Sequence, residues 1–142
     1  MLEGNVEHLE DMVPELRGFD VVVAGDIIEH LSNPGLMLDG IRSRLATNGR
    51  VIISTPNAFG VASWLRVLTG RFKEGAQHVL CFNPYTLTQL VERHGYEVEL
   101  AASCYQSRAR TNYGPLFGFL RTVLEKFPIL GGTLLYVCRV KA

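Results

Sequence analysis

The sequence predicts an α/β domain built on a largely parallel sheet, and three observations carry that prediction. Val21-Val-Val-Ala24 is a short, uniformly apolar run, as expected of a strand covered by helices on both faces rather than half exposed. Leu38, Ile41 and Leu45 then repeat at helical spacing, and Arg50-Val-Ile-Ile-Ser-Thr55 follows as a second buried strand. A strand, a helix of about a dozen residues and another strand make a crossover unit whose two strands run parallel.

Each element has its own signal. Residues 1–18 are rich in acids and carry Pro14 and Gly18, so they read as a loop leading into the fold, with a short helix near Val6–Val13. Asn33-Pro34 starts the first main helix, because Asn caps unpaired N–H groups and Pro already holds the φ of a first turn. Asn48-Gly49 is expected to end it, since both residues tolerate positive φ. Residues 19–56 are thus the βαβ core. Residues 57–80 break the rhythm: Ala58–Leu68 suits a short apolar helix with Trp64, and 69–78 suits a loop, so this segment reads as an insertion or lid over a site.

Asn83-Pro84 repeats the helix start, Leu87, Leu90 and Val91 supply the buried stripe, and Gly95 stands at the stop. Tyr96–Leu100 alternates with Glu97 and Glu99, the mark of a strand with one wet face near a sheet edge. These elements fill 81–102. The remainder, 103–142, reads as a loop with Arg108, Arg110 and Asn112, an amphipathic helix from Leu116 to Phe127, a turn at Gly131-Gly132 and a last strand, Thr133–Val140.

The totals bound the function. A chain of 142 residues that is 47% hydrophobic and 20% charged is about one globular domain. Lys plus Arg and Asp plus Glu both number 14, so no global basic field indicates nucleic acid. Cys81, Cys104 and Cys138 form no Cys-x-x-Cys pair, which argues against a thiolate zinc site or a disulfide framework and for a reducing compartment. With no secretory signal and no apolar run near the roughly 20 residues of a membrane span, the expected location is the cytoplasm.

Three stretches together resemble the second half of a class I S-adenosylmethionine-dependent methyltransferase. They are Phe19-Asp-Val-Val-Val-Ala-Gly-Asp-Ile-Ile-Glu-His-Leu31, Leu45-Ala-Thr-Asn-Gly-Arg-Val-Ile-Ile-Ser-Thr-Pro-Asn57, and His78-Val-Leu-Cys-Phe-Asn-Pro-Tyr-Thr-Leu87 with Glu92-Arg-His-Gly-Tyr-Glu-Val98. The resemblance spans residues 4–102 and, more loosely, the last strand. It implies a three-layer Rossmann-like partial sheet, mostly parallel with an antiparallel C-terminal strand. It also implies S-adenosylmethionine as cofactor.

The pattern departs from that family in one respect. No Gly-x-Gly-x-Gly turn, whose bare backbone would approach such a cofactor, occurs in the sequence. Gly4-Asn5-Val6-Glu7 resembles the family's loop after the third strand, with Asn5 where an acid is usual. The expectation is a truncated domain lacking the glycine-loop half, with cofactor affinity that needs that half.

Asp26, Glu29 and His30 are the strongest chemical constellation. If the turn after the first strand is helical, their three- and four-residue spacing puts two carboxylates and an imidazole on one face. The resemblance implies cofactor contacts from Asn5, Val6, Gly25 and Asp26, and His30 or Asp26 as the catalytic base. Some relatives hold a divalent metal with a similar arrangement, and Asp26, Glu29, His30 and His78 are the candidate ligands; many relatives hold none, and no metal is assigned. His94 reads as a charge at a helix C-terminus, His8 as a solvent contact, and Phe59, Trp64 and Phe72 as core aromatics rather than substrate contacts. Arg108 and Arg110, beside Tyr105 and Tyr113, read as a solvated loop.

The favoured function is methyl transfer to an unidentified acceptor, most simply a small molecule, with lipid, sugar and RNA also open. The alternative is a non-catalytic remnant that self-associates through an open strand edge. A third reading, a metal-dependent hydrolase using Asp26, Glu29 and His30, lacks a nucleophile or oxyanion motif.

Overall fold

The structure, a computed structural model, describes residues 4–12, 15–70, 77–104 and 127–141. The amphipathic helix expected from Leu116, the Arg108 and Arg110 loop with Tyr105 and Tyr113, and Phe72 lie outside the described residues. The elements are α1 (Leu9–Met12), β1 (Phe19–Gly25), α2 (Pro34–Arg42), β2 (Leu45–Pro56), α3 (Val61–Leu68), α4 (Pro84–Arg93), β3 (Tyr96–Cys104) and β4 (Thr133–Val140), with single 3₁₀ turns at Val6–His8, Ile28–His30 and Pro128–Leu130.

One four-stranded sheet has the order β1-β2-β4-β3. β1 and β2 pair in parallel, and β4 is antiparallel to both β2 and β3. The first three strands therefore point the same way and β4 alone opposes them, which is the mostly parallel arrangement with a reversed C-terminal strand. The C-terminal ends of β1, β2 and β3 share one rim of the sheet.

One face of that sheet is covered. Ala24, Val51, Ile53, Leu134, Tyr136 and Cys138 are buried there with Met37, Leu38 and Ile41 of α2 and Leu87 and Val91 of α4. The two buried tyrosine hydroxyls of this core are paired: Tyr96 Oη donates to Leu38 O at 2.7 Å, and Tyr136 Oη donates to Pro84 O at 2.9 Å. Pro84 stands in the first turn of α4, and Asn83 and Thr86 close a reciprocal capping box. Gly95 follows α4 at φ +80°, where an L side chain is disfavoured.

The opposite face differs from expectation. β1 is an edge strand in this sheet, and Phe19, Val21 and Val23 on its far face are exposed, Val23 to 69%. The apolar run is therefore buried on one face only. Across the sheet Val23 aligns with Ile52, Val137 and Leu100, an apolar row of which Leu100 is also exposed.

The α2–β2 junction also moves. The helix ends at Arg42, and Leu45, expected on its buried face, already belongs to β2. Asn48-Gly49 lies in a register irregularity of β2, where Leu45 pairs Phe19 but Arg50 pairs Val21. Glycine is needed at 49 because an added Cβ would stand 2.6 Å from Phe19 O. Asn33 precedes α2 without a side-chain cap hydrogen bond.

Candidate functional site

The site begins where β1 ends, at the rim that gathers the C-terminal ends of parallel strands. Asp26 takes a left-handed conformation at φ 49°, which Asp tolerates better than most residues. Its N–H donates to Ser54 O at 2.9 Å and to Ser54 Oγ at 3.2 Å, and Ser54 Oγ in turn donates to Asp26 Oδ1 at 3.1 Å. The chain is thus turned sharply off the sheet into the 3₁₀ turn at Ile28–His30, anchored by the fully buried Ile28.

That turn drives Glu29 inward. The residue is 2% exposed, with Oε2 accepting from Thr55 Oγ1 at 2.9 Å and Oε1 buried without a hydrogen-bond partner among the described residues. Glu29 O accepts from Val79 N at 2.9 Å and Leu80 N at 3.1 Å, which ties the segment before α4 to the turn. His78 is carried in by this tie, and its ring stands edge-on to His30 with centroids 4.7 Å apart. His30 Nδ1 lies 3.0 Å from Gln77 O; a carbonyl only accepts, so Nδ1 carries the proton. His30 Nε2 faces Glu29 Oε1 at 4.0 Å.

Glu29, His30 and His78 thus converge, each offering a ligand atom within 4.8 Å of the others. Asp26 does not join them. Helical spacing does not run back to residue 26, because the turn begins at 28 and Asp26 is left-handed. Gly25 is exposed at the strand end. Asn5 caps the turn at Val6–His8 by accepting from Glu7 N, while Glu7 Oε1 accepts from Asn33 N, so the 5–8 segment is docked on the start of α2. Val6 is half-buried against the core.

Other expected positions fall elsewhere. Phe59, just before α3, and Trp64, on it, are exposed rather than core. His94 caps α4 and places Nδ1 3.1 Å from Asp39 Oδ1, so it bridges α4 to α2. His8 is exposed. The partners that sequence reading missed are Ser54, Thr55 and Gln77. The alternation of β2 puts Thr55 on the covered face with Val51 and Ile53, and that signal was available.

Comparison with known proteins decides the kinship. A family model described as a methyltransferase domain matches residues 3–101. The chain belongs to that family. Comparison with curated proteins returns no match. Among solved structures, the fold resembles a possible histamine N-methyltransferase from Thermotoga maritima (TM-score 0.66, 16% identity), covering 99% of this chain and 63% of that one. It also resembles an S-adenosylmethionine-dependent methyltransferase from Archaeoglobus fulgidus (TM-score 0.59, 17% identity; 96% and 66% covered). A third likeness is to a Haloferax volcanii putative methyltransferase in complex with the Trm112 activator (TM-score 0.64, 15% identity; 98% and 60% covered). This methyltransferase domain therefore spans less than two thirds of the length of these structures. Among its described residues no helix is long and apolar enough to cross a membrane.

Proposed function

We propose that the chain forms one wall of a cleft for methyl transfer from S-adenosylmethionine to a small-molecule acceptor. The observation that carries this reading is the family match over residues 3–101, which includes the whole turn from Gly25 to His30. The turn fits such a ligand on steric grounds. A Cβ at Gly25 would meet only Ser54 Oγ at 3.6 Å, so the chain's own packing does not demand glycine there and bare backbone is left for a ligand to approach.

The cofactor, when bound, supplies an electrophilic methyl group on sulfur. Gly25, Asp26, Asn5 and Val6 would hold it. The remaining task of the protein is to align the acceptor and receive its proton. His30, with Nδ1–H directed to Gln77 O, presents Nε2 as a proton acceptor; Asp26 is the other candidate. The exposed far face of β1 supports a second reading, a non-catalytic module that associates through Val21 and Val23.

Titrating S-adenosylhomocysteine into the purified chain by calorimetry separates these readings. Weak heat, with a Kd on the order of 1 mM that Gly25→Val weakens further through occlusion of the strand end, is the expected result for one wall of the cofactor cleft. Absence of heat, together with dimers in sedimentation, would favour the association module.

A further inference from the structure

We propose that Ser54 is a positioning residue for ligand binding at the strand end, acting through its hydroxyl on Asp26. The proposal rests on the methyl-transfer reading, in which Asp26 holds the cofactor or receives the acceptor's proton. Two departures from local rules meet here. Asp26 is the one non-glycine residue at positive φ among the described residues, at 49°, where glycine would be the less strained choice. Ser54 interrupts the strand run Val51-Ile-Ile-Ser-Thr55, at a position where a β-branched side chain suits the pleated surface better. Such departures are expected where a chain is shaped for a ligand rather than for stability.

The hydroxyl links the two residues. Across the sheet Ser54 aligns with Gly25, Leu135 and Ala102, so its own row supplies no polar side chain. Ser54 Oγ instead accepts from Asp26 N at 3.2 Å and donates to Asp26 Oδ1 at 3.1 Å, closing a ring between them. The backbone bond from Asp26 N to Ser54 O, at 2.9 Å, already ties the turn to β2, so turning the chain does not require the hydroxyl. What the hydroxyl adds is the orientation of the carboxylate. Oδ1 is held against the end of β2, and Asp26, being exposed, keeps Oδ2 for solvent or a ligand.

The same hydroxyl adjoins Gly25, where an added Cβ would stand 3.6 Å from Ser54 Oγ. Bare backbone at 25 and an oriented carboxylate at 26 therefore share one hydroxyl, at the rim where the parallel strands end. A carboxylate already fixed by a donor loses less side-chain freedom when a ligand arrives, so the pair strengthens binding by preorganisation. Ser54 touches no ligand in this account; its whole effect passes through Asp26.

The test titrates S-adenosylhomocysteine into the ¹⁵N-labelled chain and follows backbone amide shifts. The native chain should give saturable shifts at Gly25 and Asp26, with a Kd on the order of 1 mM. Ser54→Ala should weaken that binding roughly two- to tenfold, the range of one hydrogen bond, and Ser54→Thr, which keeps the hydroxyl, should restore it. Asp26→Gly should bind at least as weakly as Ser54→Ala yet melt close to the native chain, since glycine relieves the left-handed backbone. Adding Ser54→Ala to Asp26→Gly should weaken binding no further, because the two residues act as one unit. A native chain without saturable shifts would sink the methyl-transfer reading and this proposal together. Native binding that Ser54→Ala leaves unchanged, or that the double variant weakens by both steps, would overturn the proposal alone.

Discussion

Among the described residues Glu29 is held by a single side-chain donor, and that makes Thr55 the most informative residue to change. Thr55→Val keeps the shape but removes the hydroxyl at 2.9 Å, leaving both carboxylate oxygens of a buried group unpaired. The expected loss is about 1–3 kcal/mol of stability, read from urea midpoints in metal-free buffer; an unchanged midpoint would mean that Oε2 finds another donor. At this scale Glu29, His30 and His78 were legible in the sequence as chemistry-bearing types near a strand end and its neighbouring loop. Asp26 was misplaced relative to them because a left-handed residue is invisible to a spacing argument. Gln77 acts through its backbone carbonyl, so its side-chain identity carried no signal.

Between elements, the outer face of the sheet carries a bidentate pair that spans β4. Arg50 on β2 donates from Nε to Glu99 Oε2 at 2.6 Å and from Nη2 to Oε1 at 3.1 Å, with Arg139 of β4 between them at 3.8 Å from Glu99 Oε1. The hydrogen bond with Arg50 holds the Glu99 carboxyl below its ordinary value, and the same bond raises Arg50. Because the folded value is the lower one, the contribution is present above the unfolded pKa, about 4.3, and is lost as pH falls through the folded pKa. The melting temperature of the native chain should exceed that of Glu99→Gln by a constant amount near neutrality. The gap should close in acid and shrink in high salt, since both groups are exposed; a gap independent of pH would assign it to packing instead. The strands, the Asn83 cap and the stop at Gly95 were readable from local rules, whereas the stop of α2 expected at Asn48-Gly49 falls inside β2 and the helix ends at Arg42. The start of β2 was not, because the bulge at Gly49 is set by the approach of Phe19 O, a contact distant in sequence.

For the molecule at large, the consequential surface is the edge of β1, unpaired among the described residues, with Phe19, Val21 and Val23 exposed beside it. An apolar edge strand is a template for another chain. Val23→Lys should therefore lower the apparent mass in sedimentation at high protein concentration without shifting the melting temperature much, since Val23 is 69% exposed. A native chain that stays monomeric would remove the basis for that expectation. The sheet's direction and its reversed last strand followed from the sequence and its family resemblance. Which face of β1 is covered did not, because an apolar run is equally consistent with one buried face or two, and only the set of neighbours present decides between them.

The position of β4 has a consequence for biosynthesis. Because β4 follows β3 in the chain yet lies between β2 and β3, β2 can pair with β1 as it emerges from the ribosome, but β3 meets no partner and β2 lacks its second one until β4 is made. A nascent chain that has completed α4 and β3 still lacks the strand that joins β3 to the rest. The sheet closes late, through contacts remote in sequence, so a chaperone that shields β2 and β3 during synthesis would act on the interval before Thr133–Val140 arrives.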